Sequence, residues 1–300
     1  MTAVARSLAD AAPLPGAATA RMLPFRKHRS LYLGAVVVLI AIVVALAAPL
    51  IAPVDPLEQQ LRVRLKPPIW NAGGVMPHVL GTDEFGRDVL SRIVYGARVS
   101  LAVGILVVAI AAPFGIFIGT LAGFYGGRLE ALLMRAADAQ HALPGILLAI
   151  IIVAMFGQNM TNLVLVLAVS TWVIYARIVF TSVRSLRDRD FVTAAMALGV
   201  TDVRLMLRHI LPSAMSPVIV ISALQVGRVI LLEAALSFLG LGVPPPEPSW
   251  GGMLADGRNR LLIASWIATY PGLALALTVW GINMLGDGLR QWLDPRLRHL

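Results

Sequence analysis

The sequence predicts an all-α polytopic membrane protein with six transmembrane helices, and three observations carry that expectation. Hydrophobic residues make up 58% of the 300 residues and charged ones only 14%, far less charge than the surface of a soluble domain of this length requires. Residues 31–54, 99–127, 139–176 and 261–286 contain no Asp, Glu, Lys or Arg, and about 20 apolar residues cross the hydrocarbon core as a helix. These runs lack the polar–apolar alternation of barrel strands, so helices are left to satisfy the backbone in lipid.

The first 30 residues are Ala/Pro-rich and then basic (RMLPFRKHRS), the pattern of a disordered tail ending in a cytoplasmic anchor. A signal peptide is the competing reading of this end, with Ala45-Leu46-Ala47 as its cleavage site; the 24-residue apolar run that follows is long enough to span. Span 1 is expected over residues 31–52 and span 2 over 100–124. The uncharged run 139–176 is too long for one crossing and reads as a hairpin turning at GQNMTN, residues 157–162. Span 3 enters that turn from about residue 133 as one helix that tolerates Pro144, and span 4 leaves it to end near 180. Span 5 is expected over 213–239 and span 6 over 263–285. An even number of spans places both ends of the chain on one side.

Basic residues set the orientation. With the N-terminus inside, segments 1–30, 125–138, 177–212 and 286–300 hold 16 of the 25 Lys and Arg residues, and the outer segments 53–98 and 240–262 hold eight. That is the positive-inside bias, and it accounts for a net charge of +9 without nucleic acid as a partner. Both termini are thus expected in the cytoplasm.

One inside segment, DFVTAAMALGVTDVRLMLRHILPSAMSP (residues 190–217), has finer structure. Phe191, Ala194, Ala195 and Leu198 recur at helical spacing, Gly199 interrupts, and Val203, Met206, Leu207, Ile210 and Leu211 repeat the stripe with Arg204 and Arg208 opposite. Thr201 is placed to cap the second helix, Asp202 sits in its first turn where the dipole favours a carboxylate, and Pro212 marks re-entry into the membrane. A helix, a glycine elbow and a second helix fit two roles: an interfacial helix lying on headgroups, or a docking element for a partner.

The stretch TAAMALGVTDVRLMLRHILP resembles the EAA loop of binding-protein-dependent ABC importer permeases, Glu-Ala-Ala-x3-Gly-x9-Ile-x-Leu-Pro. Ala194, Ala195, Gly199, Leu211 and Pro212 match, while Thr193 stands at the Glu position and His209 at the Ile position. GTDEFGRDVLSRIVYGARVSL (81–101) and LGDGLRQWLDPRLR (285–298) resemble the C-type permeases of dipeptide, oligopeptide and nickel importers. The resemblance implies a type I ABC importer permease fold, with the first helix and an extracytoplasmic loop over 31–97, a permease core over 98–290 containing a coupling loop at 190–212, and tails at 1–30 and 291–300. It implies an inner-membrane subunit that forms half of a pathway for dipeptides or oligopeptides, nickel or another small solute being the alternative cargo. The implied partners are a homologous second permease, two ABC ATPase subunits or one fused ATPase, an extracytoplasmic solute-binding protein and the lipid bilayer. The loop would sit in a groove of the ATPase, with Ala194, Ala195, Gly199, Asp202, Arg204, Leu207, Arg208, Leu211 and Pro212 as the coupling set. In such a groove Leu207 and Ile210 would be buried against the partner while Arg204 and Arg208 meet an acidic rim.

Gln225, Arg228 and Glu233 stand out on span 5, because charge at membrane depth is costly and faces a cavity, the bundle interior or another charge. They read either as a polar side facing the pathway or as contacts to another span or to the partner permease. Val89, Leu90, Ile93 and Val94 recur at helical spacing among Asp83, Glu84, Arg87, Asp88 and Arg92, the pattern of a surface helix flanking span 2. Residues 239–252 (LGLGVPPPEPSWGG) form a proline-stiffened outer connector, and Asp287, Arg290, Asp294, Arg296 and Arg298 a mixed-charge end that closes against the loops.

Several chemistries lack their residues. There is no cysteine, hence no disulfide or thiolate. Lys27 and Lys66 are the only lysines and neither follows glycine, so the chain has no Walker A loop; ATP and Mg are expected on partner ATPases and no cofactor on this chain. The five histidines, His28, His78, His141, His209 and His299, are scattered, which argues against a metal site and against a membrane-embedded metalloenzyme. A secondary transporter would show an internal repeat and midplane ion sites, and no repeat is evident. The expectation is a transport subunit without catalytic residues.

Overall fold

The computed structural model describes residues 29–293, and apart from an isolated bridge between Thr82 and Asp88 their regular structure is helical. In chain order the helices are α1 (Arg29–Leu46), α2 (Ala48–Ile51), α3 (Val89–Tyr125), α4 (Gly127–His141), α5 (Gly145–Phe156), α6 (Met160–Arg187), α7 (Asp190–Ala197), α8 (Asp202–Leu205), α9 (Leu211–Phe238), α10 (Trp250–Arg258) and α11 (Trp266–Leu293), with a 3₁₀ turn at Leu61–Val63 and a π turn at Met206–Ile210. Five helices, one of them α9 extended back to Asp202, are long and apolar enough to cross a membrane, and α4 with α5 makes a sixth crossing if the pair is counted as one.

Close approach of small residues sets the packing. A Cβ added at Gly115, Gly119 or Gly123 of α3 would lie 2.4, 2.4 and 2.9 Å from the carbonyl oxygens of Trp172, Ala176 and Phe180 on α6. Without a hydrophobic driving force between helices in lipid, such backbone-to-backbone contact is what dispersion rewards. The partner numbers rise together, so α3 and α6 run parallel, and the chain between them must return to the opposite face through α4 and α5. Antiparallel contacts order the rest: Gly34 of α1 meets Gly281 and Leu285 of α11, and Gly286 of α11 meets Leu224 of α9. The two ends of the described chain and the α7–α8 knob therefore share one face, and the segments 52–88 and 239–265 share the other.

Four expectations change. Span 3 is not a straight helix, because the chain bends by 82° between α4 and α5. Pro144 has no N–H to donate and holds Leu143 away from the helical region, so α4 ends at His141 and Pro144, at φ −58° and ψ 122°, becomes the N-cap of α5. The expected surface helix at 89–94 is the first turns of α3 itself, with Val89 and Val94 buried. A division at 97/98 thus falls inside α3, and one at 290/291 inside α11. At Pro212 the chain does not break: the proline's missing N–H and its clash with the preceding turn are absorbed by the π turn, in which the Leu211 amide bonds the Met206 carbonyl, and α8 continues through it into α9. The tail 1–28 and Asp294, Arg296, Arg298 and His299 lie outside the described residues.

Candidate functional site

Two places carry the candidate residues. The first is the knob. α7 ends in a glycine turn: the Gly199 amide donates to the Met196 carbonyl at 2.9 Å and the Val200 amide to the Ala195 carbonyl at 3.2 Å, the paired bonds of a Schellman cap. Gly199 has φ +76° and a Cβ there would meet nothing within 4 Å, so glycine is required by the turn and not by crowding. Thr201 occupies the N-cap of α8 without a side-chain bond, and Asp202 lies in its first turn.

Below the turn, Val192, Leu205, Met206 and Ile210 join the core cluster that contains Val179 and Val183 of α6, and Ala195 and Val200 lie against it. Ile210 is thus buried in its own chain and is not free for a partner, a correction to the expected docking pair. Phe191, Met196, Leu198, Val203 and Leu207 remain exposed, Leu198 at 85% and Leu207 at 60%. Ala194, Asp202, Arg204, Arg208 and Pro212 are exposed beside them and Leu211 is half-buried. Each apolar stripe read from the sequence is split: one part anchors the knob, the other presents an apolar surface flanked by two guanidiniums.

The second place is a cavity of about 320 Å³ at the α4–α5 break, lined by Gln140, His141, Gly145, Ser170, Thr171, Gln225 and Arg228 among others. Gln140 braces the break, since its Oε1 accepts from the Trp172 indole N–H at 2.8 Å and its Nε2 donates to the Val169 carbonyl. Gln225 and Arg228 are three residues apart and share a helix face. Glu233 is not with them. It is fully buried among α3, α9 and α10, accepting from Ser237 Oγ at 2.7 Å and Ser100 Oγ at 3.4 Å. The Trp250 amide donates in turn to Ser100 Oγ at 3.4 Å.

On the opposite face from the knob, Asp83 accepts from Arg87 Nε at 2.6 Å and from Arg92, and both guanidiniums also face Asp256. His78 Nδ1 meets Asp88 at 3.0 Å, and the other Asp88 oxygen caps α3. These charges are internal to the fold. Among the described residues no three His, Asp or Glu side chains are grouped to hold a metal ion.

Comparison with known proteins fits this architecture. Residues 115–299 match the family described as "Binding-protein-dependent transport system inner membrane component", and residues 22–68 match the N-terminal TM domain of oligopeptide transport permease C. The chain belongs to the first of these families. The permease is 45% identical over 266 residues to the Di/tripeptide transport system permease protein DppC of Pseudomonas aeruginosa, covering 89% of this chain and 88% of that one. It is 42% identical over 274 residues to the Dipeptide transport system permease protein DppC of Escherichia coli K12, covering 91% of each. The inward-facing MetNI methionine ABC transporter shares its fold at TM-score 0.56 and 16% identity, over 68% of this chain and 96% of that one. The type I importer permease fold is therefore shown.

Sequence reasoning missed the cavity's other half. Gln140 and His141 are polar residues inside a run of 38 uncharged ones, with Pro144 three residues after His141, and that placement is the signal that the run breaks there.

Proposed function

We propose that the permease forms half of a translocation pathway for dipeptides in an ATP-driven importer, with the knob as its handle. Its partners are a homologous second permease, two ATPase domains that hold ATP and Mg, and a solute-binding protein on the face opposite the knob. The knob face is cytoplasmic, in line with the distribution of basic residues. The observation that carries this reading is the exposed surface of Phe191, Leu198, Val203 and Leu207 beside Arg204 and Arg208, held on a turn anchored from below by buried side chains. Apolar contact rimmed by charge is how specific protein interfaces are built, and the relatives named for dipeptide transport point to the cargo.

The test is purification from native membranes in mild detergent. Co-elution of a stoichiometric ATPase and a second permease, with the ATPase lost on Leu198→Glu, is the expected result. Leu198 is a cleaner site than Ala195, which packs on the core, so Ala195→Arg would disturb the knob itself. A lone protein that still moves solute after reconstitution would overturn the reading in favour of a secondary transporter.

A further inference from the structure

We infer that the cavity at the α4–α5 break is a carboxylate site, in which Arg228, Gln225 and the first amides of α5 receive the C-terminal carboxylate of a peptide in transit. The inference rests on the peptide-importer reading and names the chemical group that one of its surfaces takes.

Three observations converge. Arg228 is the only Asp, Glu, Lys or Arg that lines the cavity, and among the described residues no carboxylate pairs with it. Arg228 is exposed on this chain and lines the cavity without a counter-charge, and its planar fork fits a carboxylate through two parallel bonds. Gln225, 4% exposed, lines the same cavity and makes no hydrogen bond within the described residues. Its amide atoms open on the cavity rather than being sealed from solvent, and the NH₂ is a donor for the same anion.

The third is the start of α5. Pro144 offers no side-chain cap, and the first intrahelical bond runs from the Leu148 amide to the Pro144 carbonyl at 3.1 Å. The amides of Gly145, Ile146 and Leu147 are thereby left open at the positive end of a 12-residue helix. The hydroxyls of Ser170 and Thr171 are already spent on carbonyls one turn back, so the donors that remain are the guanidinium, the Gln225 amide, the His141 ring N–H and the helix end.

Because the chain has no cysteine, Ser170→Cys introduces its only thiol beside the α5 terminus. In the assembled, reconstituted importer the rate at which a small methanethiosulfonate modifies that thiol is measured with L-alanyl-L-alanine and with its C-terminal amide. The free dipeptide is expected to slow modification in a dose-dependent way and the amide to do so at a concentration about tenfold higher or more, the cost of one charge-assisted hydrogen bond. Arg228→Gln and Gln225→Glu are expected to abolish protection while Arg228→Lys keeps part of it. Equal protection by dipeptide and amide, protection that survives Arg228→Gln, or no protection in an importer that takes up the dipeptide would overturn the inference and leave the importer reading standing. Failure of the wild-type importer to take up dipeptides with its binding protein would overturn both.

Discussion

The Arg92 guanidinium lies 3.4 Å from the carboxylate of Asp256, joining side chains 164 residues apart. It ties the start of α3 to α10, and Asp83 holds Arg87 and Arg92 from the other side. The segments on the face opposite the knob are thus one body clamped by ions.

Asp83 is the buried centre of that clamp. Asp83→Asn leaves two buried guanidiniums short of a charge and is expected to destabilise the permease by about 3–5 kcal/mol. Asp256→Asn, at a side chain 37% exposed, is expected to cost about 1 kcal/mol or less. Thermal unfolding in detergent, followed by tryptophan fluorescence, separates the two; equal losses would show that Asp83 is not the hub.

Asp256 also carries a pH signature. Burial pushes its carboxyl above the ordinary 3.8, and Arg92 and Arg87 pull the other way. A raised carboxyl binds its proton more tightly in the folded state, so its contribution is complete below 3.8 and is lost as pH climbs through the raised folded value. Asp256→Asn is expected to flatten the dependence of Tm on pH over the mildly acidic range. An unchanged slope would remove Asp256 from the titration.

The parallel α3–α6 contact admits no side chain at Gly119, where a Cβ would sit 2.4 Å from the Ala176 carbonyl oxygen. Gly119→Leu must push the helices apart and is expected to cost at least about 1–3 kcal/mol, read as a lower yield of monodisperse protein and a lower Tm. Gly127→Ala, where a Cβ meets nothing within 4 Å, is expected to lose only what its φ of +60° imposes, about 1 kcal/mol. Similar losses at both sites would refute the packing argument.

At the knob, fold and function should come apart. Gly199→Ala strains a φ of +76° at about 1 kcal/mol but touches no neighbour, so assembly is expected to survive with reduced transport. Leu207→Glu alters only exposed surface, and is expected to leave Tm unchanged while uptake and ATPase co-purification are lost. Transport at the wild-type rate in Leu207→Glu would remove this surface from coupling.

How much of this was legible depends on whether the deciding interaction is local. The uncharged runs marked the membrane crossings because lipid enforces that pattern residue by residue, and Gly199 announced its turn because a Schellman cap is read over six residues. Arg92 was misread as a surface charge because its partner, Asp256, is far along the chain. Pro144 is compatible with a kinked helix or a stop, and packing around Gln140 and Trp172 chose the stop. Glu233 is separable from Arg228 in hindsight: a five-residue step turns about 140° around a helix, so the two point to different surroundings.

The parallel seam between α3 and α6 makes a strut of the pair. α6 alone, at 28 residues, is about 42 Å long, and the knob follows directly from its end. Tilting such a strut by ~5° about its knob end moves the far end by ~4 Å, at 1.5 Å of length per residue. The clamp at Arg92 sits at the far end of α3, so the same tilt carries the loops of that face with it. A small angular stroke on one side of the bilayer becomes a displacement the width of a side chain on the other, without any helix having to bend.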